Sequence, residues 1–403
     1  MAIIHPFKAW HPSPEQVKKI SCPPYDVIST AEAREAAAGN PHSFLHIIRP
    51  EIDLPEGTLF NDDAVYQKGA ENLEQFMDEG ILSQDEDHAL YIYRLEWKGE
   101  TQTGIFGCVS VDDYDNDLIL KHELTRPDKE DDRTRHILDQ QAHAEPVMLT
   151  CKDQTGIGNF ATDFCKQNES LFDFTTPDRI THQLWKVTDT QKLEDAFGEL
   201  EHMYIADGHH RCKSASRAAE KERQKISANT DNEEFNYFPA VIFPMAEMSI
   251  LPYNRLIFKV PDDFITQLKN SFTVQEDAGP EPPRKGDICL YMDGSWQKIT
   301  LPEAKDPSAV EKLDAYRLQE FVLKPLLGIK DPRRDKNIDF VGGIRGTGEL
   351  EKRVDSNEAA LAISMYPTAI EELVEVSDEG MLMPPKSTWF EPKLRSGLLV
   401  HTF

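Results

Sequence analysis

Residues 203–213 read MYIADGHHRCK, an apolar run that passes through Asp-Gly into cationic and titratable side chains. The apolar residues 203–206 predict a strand, and the pattern after the turn predicts a helix over 213–223. Gly208 allows a tight backbone turn and close approach of a ligand. A strand, a glycine turn and a helix in this order direct amide N–H groups and the positive end of the helix dipole at the turn, which favours a bound anion.

The side chains of this turn support the same prediction. His209, His210, Arg211 and Lys213 add donors, and an arginine can bind a phosphate through two hydrogen bonds. Two other interpretations stay open: the paired histidines cap the helix and bond locally, or they bind a metal. The metal site is the weaker of the two, because adjacent residues point apart and seldom ligate one metal together.

A second polar segment starts at Lys121 and reads KHELTRP, a strand end followed by a helix start with proline in the first turn. It lacks the second histidine of a His-Glu-x-x-His zinc site, which excludes metalloprotease chemistry. Glu123 is placed to act as a general base. One face of the helix carries a polar, mostly basic stripe, made of Lys129, Arg133, His136 and Gln140. Arg133 and His136 are predicted to hold a second anion; a solvated helix face is the alternative.

Strands and helices interleave along the chain, so the predicted fold class is α/β or α+β mixed, with the phosphate-binding unit embedded in a larger multi-part fold. Pro325 is expected to end or kink the helix in which it falls. Loops are predicted near 153–159, 229–236 and 279–286. The predicted elements are strands at 44–48, 89–95, 104–111, 118–123 and 238–244, helices at 62–79, 127–143 and 310–323, and a hairpin over 288–301 that turns at Asp293-Gly294. We expect three parts, 1–155, 156–260 with the central loop, and 261–403.

Bulk composition restricts the classes of function. The net charge of −27 disfavours DNA or RNA binding, because affinity for nucleic acids comes mainly from Lys and Arg. No apolar run approaches the roughly 20 residues of a membrane span, and the opening MAIIHPF lacks the basic leader of a signal peptide. Six cysteines are scattered singly, which indicates free buried thiols in a reducing compartment. We therefore expect a cytoplasmic protein with a phosphate-bearing small molecule as its partner, and neither nucleic acid nor a membrane.

Two stretches near the end of the chain lack the residues that nucleotide-binding motifs require. Residues 386–388, Lys-Ser-Thr, look like the end of a P-loop, but prolines at 384–385 precede them where a glycine-rich cradle would supply N–H groups. The glycine-rich run 342–348 has no dinucleotide-binding fingerprint and is predicted as a turn. Basic residues here fit either a surface position or a place at the site; they are Lys386, Lys393 and Arg395.

Several stretches resemble a large bacterial family catalogued as domain of unknown function ten-fifteen. They are 6–10 (PFKAW) with 23–28 (PPYDVI), 121–125 (KHELT), the central loop, and 383–388 (MPPKST) with 392–394 (PKL). Together they span nearly the whole chain. The family name itself carries no function.

The loop IADGHHR, at 205–211, is also similar to a motif of the superfamily of ParB nucleotidases, sulfiredoxins and archaeal free-serine kinases. The resemblance implies a ParB/sulfiredoxin-like phosphate-binding unit whose histidines and arginine contact nucleotide phosphates, while Asp207 orients the loop or a magnesium ion. The Asp-Gly-His-His-Arg form resembles the serine kinase, whose base is a glutamate on another segment; Glu123 is the candidate here. His209 stands where a sulfiredoxin has its reactive cysteine, and the charge of −27 argues against a DNA-partitioning role.

These observations predict phosphoryl transfer on a small hydroxylated metabolite, with serine or phosphoserine favoured by the resemblance. A nucleotide such as ADP or ATP, or pyrophosphate, is the expected donor or acceptor, and Mg²⁺ is the expected cofactor. Glu123, Asp207 and His209 are the predicted catalytic residues. Two alternatives use the same loop: a non-catalytic nucleotide-binding regulatory or interaction protein, and a phosphoserine-type phosphatase with water as acceptor.

Overall fold

The computed structural model describes residues 2–226 and 232–403. The described residues divide into two compact units. The first contains Met1–Lys121, Thr125–Met248 and Pro392–Phe403, and the second contains His122–Leu124 and Ser249–Glu391. This division differs from the predicted parts 1–155, 156–260 and 261–403, because strands from the first two predicted parts pair within one sheet. The predicted loop at 229–236 lies in part outside the described residues.

Strands and helices of the first unit follow the order of the chain. The strands are β1 (Ile4–His5), β2 (Trp10–His11), β3 (Ser83–Gln84), β4 (Leu90–Trp97), β5 (Glu100–Ser110), β6 (Ile119–Leu120), β7 (Ala142–His143), β8 (Val147–Cys151), β9 (Phe172–Thr175), β10 (Thr181–Val187), β11 (Met203–Asp207), β12 (Tyr237–Pro244) and, near the end of the chain, β20 (His401–Thr402). The helices are α1 (Val17–Ile20), α2 (Thr30–Ala37), α3 (Leu45–Ile48), α4 (Asp63–Asp78), α5 (Val111–Asp115), α6 (Pro127–Gln140), α7 (Ile157–Gln167), α8 (Gln191–Gly198) and α9 (His209–Lys225).

Within the described residues, nine strands of the first unit form a mixed sheet in the order β6-β11-β8-β12-β5-β4-β10-β9, with β1 paired to β5. β11 runs parallel to β6 and antiparallel to β8, and β12 runs parallel to β8. Cys212, Ala215 and Ala219, at helical spacing, turn small side chains inward, so α9 packs against the core that includes Leu149 and Ile205. The mixed fold class is confirmed.

The second unit contains the remaining elements. Its strands are β13 (Ile250–Leu251), β14 (Tyr253–Ile257), β15 (Asp287–Met292), β16 (Ser295–Thr300), β17 (Ile338–Gly342), β18 (Leu361–Met365) and β19 (Trp389–Phe390), and its helices are α10 (Phe264–Ser271), α11 (Asp314–Leu318), α12 (Lys324–Leu327), α13 (Gly346–Asp355) and α14 (Ile370–Asp378). Among the described residues, five strands form an antiparallel sheet in the order β16-β15-β18-β14-β17. Adjacent residues of β14 serve different clusters: Leu256 packs with Val341 and Leu350, and Ile257 with Phe264 and Ile363.

Most of the predicted elements are confirmed, with boundaries shifted by a few residues. The helix predicted at 62–79 is α4, capped by the Asp62 carboxylate, which accepts from the Ala64 N–H at 3.0 Å. The hairpin that turns at Asp293-Gly294 joins β15 to β16. The six cysteines are all buried and free, as predicted. No helix in the described part of the chain combines the length and apolar character required to cross a bilayer.

Three local predictions are wrong. Residues 44–48 were predicted as a strand but contain α3. The pattern of a short, mostly apolar run does not distinguish a buried helix from a buried strand. Pro325, expected to end or kink its helix, does not end it: a π-helical stretch, Gln319–Leu323, precedes it, and α12 continues through it to Leu327. The run 342–348, predicted as a turn, ends β17 and begins α13.

Candidate functional site

The predicted strand, turn and helix are present at the central loop. β11 ends at Asp207, where a register shift after Ile205 interrupts its pairing with β8, and α9 begins at His209. Gly208 between them takes a φ of 102° and a ψ of 28°, a left-handed conformation that favours glycine. The N-cap residue of α9 is Gly208, which has no side chain with which to cap the helix. The first turn of this 17-residue helix therefore presents backbone amides that have no acceptor within the helix.

Asp207 joins the loop to two basic side chains. Its Oδ2 accepts a hydrogen bond from Arg211 Nη2 at 3.0 Å, and its Oδ1 lies 3.4 Å from Lys393 Nζ. Burial alone would raise the pKa of this carboxyl, but Lys393, Arg211 and His209 outweigh it and hold the pKa well below its usual range. Asp207 is therefore ionised, and its contacts fix the shape of the turn.

Arg211 points into the protein. Its side chain is 9% exposed, and Nη1 donates to the carbonyl of Pro146 while Nη2 donates to Asp207. Burial acts to lower its pKa, but Asp26, Asp207 and Glu145 raise it above the ordinary value. Both terminal nitrogens thus have protein acceptors, so Arg211 holds the loop rather than presenting an open fork for a phosphate.

The two histidines of the loop differ in their surroundings. His209 is buried, and His210 is partly exposed. The backbone N–H of Arg126 donates to His210 Nε2 at 3.1 Å, so this nitrogen carries no proton. Lys213, one turn further along α9, is partly exposed.

The two central residues of the polar stripe on α6, Arg133 and His136, are both buried. This part of the helix face is therefore not exposed to solvent. Arg133 Nη2 lies 2.9 Å from Asp132 Oδ2, and its guanidinium stacks over the ring of Tyr25 at 4.1 Å. Burial, followed by the charge of Arg133, lowers the pKa of His136 well below its ordinary value. A neutral His136 does not contribute the positive charge expected of it. Its Nδ1 has no hydrogen-bond partner among the described residues.

Glu145, which the sequence reasoning missed, links several parts of the first unit. Its Oε1 accepts from the Tyr25 N–H at 3.0 Å and from Ser396 Oγ at 3.1 Å, and its Oε2 lies 3.8 Å from Arg133 Nη1. Burial raises the pKa of this carboxyl, while Arg211 and Arg133 oppose the shift. A single glutamate before a proline gives no signal in a sequence, so only the tertiary contacts of Glu145 identify it.

A small cavity connects the helix stripe with the base of the loop. It has a volume of about 40 Å³, and its polar lining includes Arg133, His136, Gln140, Glu145 and Arg211. Such a volume accommodates one or a few water molecules. α6 and α9 also bond directly, since Ser214 Oγ donates to the carbonyl of Glu130 at 3.1 Å. The structure thus brings the stripe and the loop together around shared interior groups.

The donor set of the first unit does not fit a resident magnesium ion at Asp207. Magnesium prefers carboxylate and water oxygens in octahedral geometry, whereas both oxygens of Asp207 face cations. Glu123 belongs to the second unit, where the carbonyl of the adjacent His122 accepts from the Met383 N–H at 2.8 Å. Two of the stretches that carry the family resemblance therefore meet there. The action of Glu123 as a base at residues 207–211 stays a prediction.

Comparison with solved structures finds distant likenesses. A free serine kinase variant in complex with AMP has 15% identity and a TM-score of 0.38, over 73% of this chain and 92% of that chain. SbnI from Staphylococcus aureus, truncated at its C-terminus, has 12% identity and a TM-score of 0.38, over 72% and 85%. A conserved hypothetical protein from Pyrococcus furiosus has 14% identity and a TM-score of 0.36, over 73% and 95%. We draw no conclusion about this chain's activity from likenesses at these TM-scores.

Sequence comparison gives a definite result for the family. No curated protein sequence matches the chain. A family model described as a protein of unknown function (DUF1015) matches residues 4–316, which include 121–125 and the central loop. The stretches at 383–388 and 392–394 lie beyond the match. Because the match covers well over half of the chain, this protein belongs to the DUF1015 family.

Proposed function

We propose that this protein is a phosphotransferase that binds a nucleotide or pyrophosphate at residues 207–211 and moves a phosphoryl group to or from a small hydroxylated metabolite. Serine and phosphoserine are the first candidates, from the motif resemblance. The observation that carries the proposal is the turn from β11 through left-handed Gly208 into the N-terminus of the 17-residue helix α9. Backbone amides and the helix dipole at such a turn favour a phosphate.

In this proposal the residues of the loop have different tasks. The amides of the first turn of α9, with His209 and His210, donate to phosphate oxygens. Lys393, 3.4 Å from Asp207, adds a positive charge that the sequence motif does not contain. Arg211 is a positioning residue, because its hydrogen bonds to Asp207 and Pro146 hold the turn.

The reaction requires little covalent chemistry from the protein. The acceptor hydroxyl loses its proton to Glu123, its oxygen bonds to phosphorus, and the bond from phosphorus to the leaving phosphate oxygen breaks. Fixed positive groups around the phosphate oxygens then stabilise the transferred group. Mg²⁺, if it arrives with the nucleotide, would supply further neutralisation of the phosphate charge.

A thermal-shift screen followed by ³¹P NMR tests the proposal. Purified protein is screened against AMP, ADP, ATP and pyrophosphate, with and without Mg²⁺, and then incubated with the stabilising compound plus serine or phosphoserine. Transfer of phosphate between the two compounds supports the phosphotransferase. Nucleotide binding without turnover would favour the regulatory protein, and release of phosphate from phosphoserine without a nucleotide would favour the phosphatase. Absence of any shift would contradict a phosphate site.

Paired lysine variants test whether the positive charge of Lys393 contributes to nucleotide binding. Lys393→Ala is expected to weaken nucleotide binding roughly tenfold, about 1.4 kcal/mol, whereas Lys166→Ala, which removes an exposed lysine of α7, leaves it unchanged. Equal affinities in the two variants would remove Lys393 from the site. Glu123→Gln is expected to lower kcat at least ~100-fold with nucleotide affinity retained, and wild-type turnover would end its assignment as the base.

A further inference from the structure

Among the described residues, every buried arginine but one is paired with a carboxylate. Removing a guanidinium from water costs free energy that an ionised partner normally compensates. Within the described residues, the buried arginines are Arg133, Arg211, Arg255 and Arg317. Three of them have a carboxylate at hydrogen-bond distance: Arg133 with Asp132 at 2.9 Å, Arg211 with Asp207 at 3.0 Å, and Arg317 with Asp314 at 3.1 Å.

Arg255 is the exception. It lies on β14, between β17 and β18, and is 3% exposed. Nη1 donates to the carbonyl of Tyr253, and Nη2 donates to the carbonyl of Lys386 at 3.1 Å. No carboxylate pairs with it in the described part of the chain, and burial lowers its pKa to about 10. The guanidinium also lies over the Phe340 ring, 5.3 Å from its centre. Two carbonyl dipoles and a ring face engage part of a group with five N–H donors, and none of them carries the negative charge that would balance it.

Lys386, whose carbonyl accepts from Arg255, is itself a cation and lies in a turn with an unusual backbone conformation. Lys386 is exposed, and its Nζ lies 5.5 Å from the centre of the Tyr253 ring. Lys386 also takes a φ of 60°, a conformation that non-glycine residues adopt rarely and that recurs at ligand sites. This turn directs the Lys386 carbonyl to Arg255. The segment 383–388, which carries part of the family resemblance, has no task in the function proposed above.

We propose that Arg255 and Lys386 form an anion site in the second unit that takes the carboxylate or phosphate group of a small metabolite. The planar guanidinium matches an anion with two oxygens, and an anion oxygen would replace the Lys386 carbonyl as the acceptor for Nη2. Lys386, as an exposed cation, attracts the ligand to a protein that is otherwise strongly acidic. This proposal does not depend on the phosphate site proposed at residues 207–211.

Isothermal titration calorimetry on the full chain tests this site with two separate probes, inorganic phosphate and acetate. We expect at least one probe to bind wild-type protein, and the probe that binds identifies the anion class. Arg255→Lys should weaken that binding at least tenfold, because the fork is lost while the charge stays, and Lys386→Met should weaken it about threefold. Arg317→Lys, a matched change at a paired buried arginine, should leave it unchanged.

Stability provides an independent measurement. Without ligand, Arg255→Met should not lower Tm, since it removes an unbalanced buried charge, whereas Arg317→Met should lower Tm because Asp314 loses its partner. The proposal is overturned if neither probe binds, or if Arg255→Lys binds both with wild-type affinity. A lower Tm in Arg255→Met with unchanged anion binding in Arg255→Lys would make Arg255 a structural residue. Absence of nucleotide binding at residues 207–211 would leave all of these outcomes unaffected.

Discussion

At the scale of single residues, the ion pairs of the first unit give Arg211 a structural role instead of the phosphate-binding role that the motif implies. A phosphate-binding arginine needs donors that face the ligand, yet Arg211 directs Nη1 to Pro146 and Nη2 to Asp207. Asp207 in turn contacts Lys393. Arg211 therefore stabilises the conformation of the loop. Its substitution should lower the stability of the fold as well as weaken ligand binding.

Arg211→Met is expected to lower the free energy of unfolding by about 3 kcal/mol or more, because it leaves the ionised Asp207 without its buried partner. Arg217→Met on the same helix removes a more exposed arginine paired with Glu130 at 3.1 Å, and should cost less than about 1 kcal/mol. Urea denaturation of both variants measures the difference. Equal losses would contradict a structural role for Arg211.

The His46–Asp53 pair should give a pH-dependent contribution to stability. His46 Nδ1 lies 2.7 Å from Asp53 Oδ1 and Nε2 lies 3.1 Å from the carbonyl of Asn40, so both ring nitrogens donate and the imidazolium is favoured. The hydrogen bond to Asp53 raises the pKa of His46. Burial opposes ionisation of Asp53, but its bond to His46 prevails and lowers the pKa of Asp53.

A group with a raised pKa in the folded state stabilises below its unfolded pKa, and one with a lowered pKa stabilises above it. The pair should therefore contribute most between about pH 4 and pH 6.5. His46→Ala is expected to cost about 1 kcal/mol at pH 5.5, in line with a partly exposed pair, and less at pH 9. Urea denaturation at the two pH values checks this, and a cost that rises with pH would refute it.

At the scale of elements, the turn between β11 and α9 depends on one glycine. Gly208 has a φ of 102°, and a Cβ there would lie 3.1 Å from Arg211 Nε and from Val147 Cγ1. The left-handed conformation disfavours any residue with a Cβ, and the contacts would require Arg211 or Val147 to shift by a few tenths of an ångström. Backbone sterics therefore restrict this turn to glycine or a residue that accepts the strain.

Gly208→Ala should destabilise the protein by about 1–2 kcal/mol, from the left-handed conformation, and weaken phosphate binding by displacing the turn. Gly198→Ala is the matched control: Gly198 ends α8, and a Cβ there meets nothing within 4 Å. Alanine at that position should be neutral or slightly stabilising. Calorimetric Tm values with and without nucleotide test both; an unaffected Gly208→Ala would show that the turn tolerates a side chain.

At the scale of the whole molecule, the first unit is assembled from chain segments that are distant in sequence. Residues 392–403 return to it after the second unit has been completed. The N–H of Val400 donates to the carbonyl of Trp10 at 2.8 Å, and Trp10 donates back to Val400 at 3.0 Å. Arg395 Nη2 donates to the carbonyl of Ser21 at 2.6 Å. The first unit therefore depends on the last residues of this sequence.

Val400→Asp is expected to destabilise the protein by about 4 kcal/mol or more, because it places an unpaired carboxylate at a position that is 0% exposed. Val27→Asp makes the same change at a position that is 40% exposed and should be nearly neutral. Differential scanning calorimetry compares the two. Similar Tm values would mean that residues 392–403 are not integral to the first unit.

Local sequence determined the strand, the glycine turn, the helix α9, the hairpin at Asp293-Gly294 and the capped helix α4, because apolar spacing, left-handed glycine and helix caps act within a few residues. It failed at residues 44–48, where burial decided the conformation, and it did not predict that the helix continues past Pro325 after a π-helical stretch. Motif chemistry also marked Asp207, His209 and Arg211 as neighbours on one turn.

Only the tertiary structure decided which charges meet. Lys393 reaches Asp207 across 186 residues, and Ser396 reaches Glu145 across 251, through a sheet that pairs strands far apart in the chain. Packing also determined the partners of the buried arginines. Arg211 donates to acceptors within the protein, and Arg255 has no carboxylate partner among the described residues. The sequence specifies which ionisable groups exist, whereas their partners and hydration depend on long-range packing, because desolvation and Coulomb energies follow distance in space rather than along the chain.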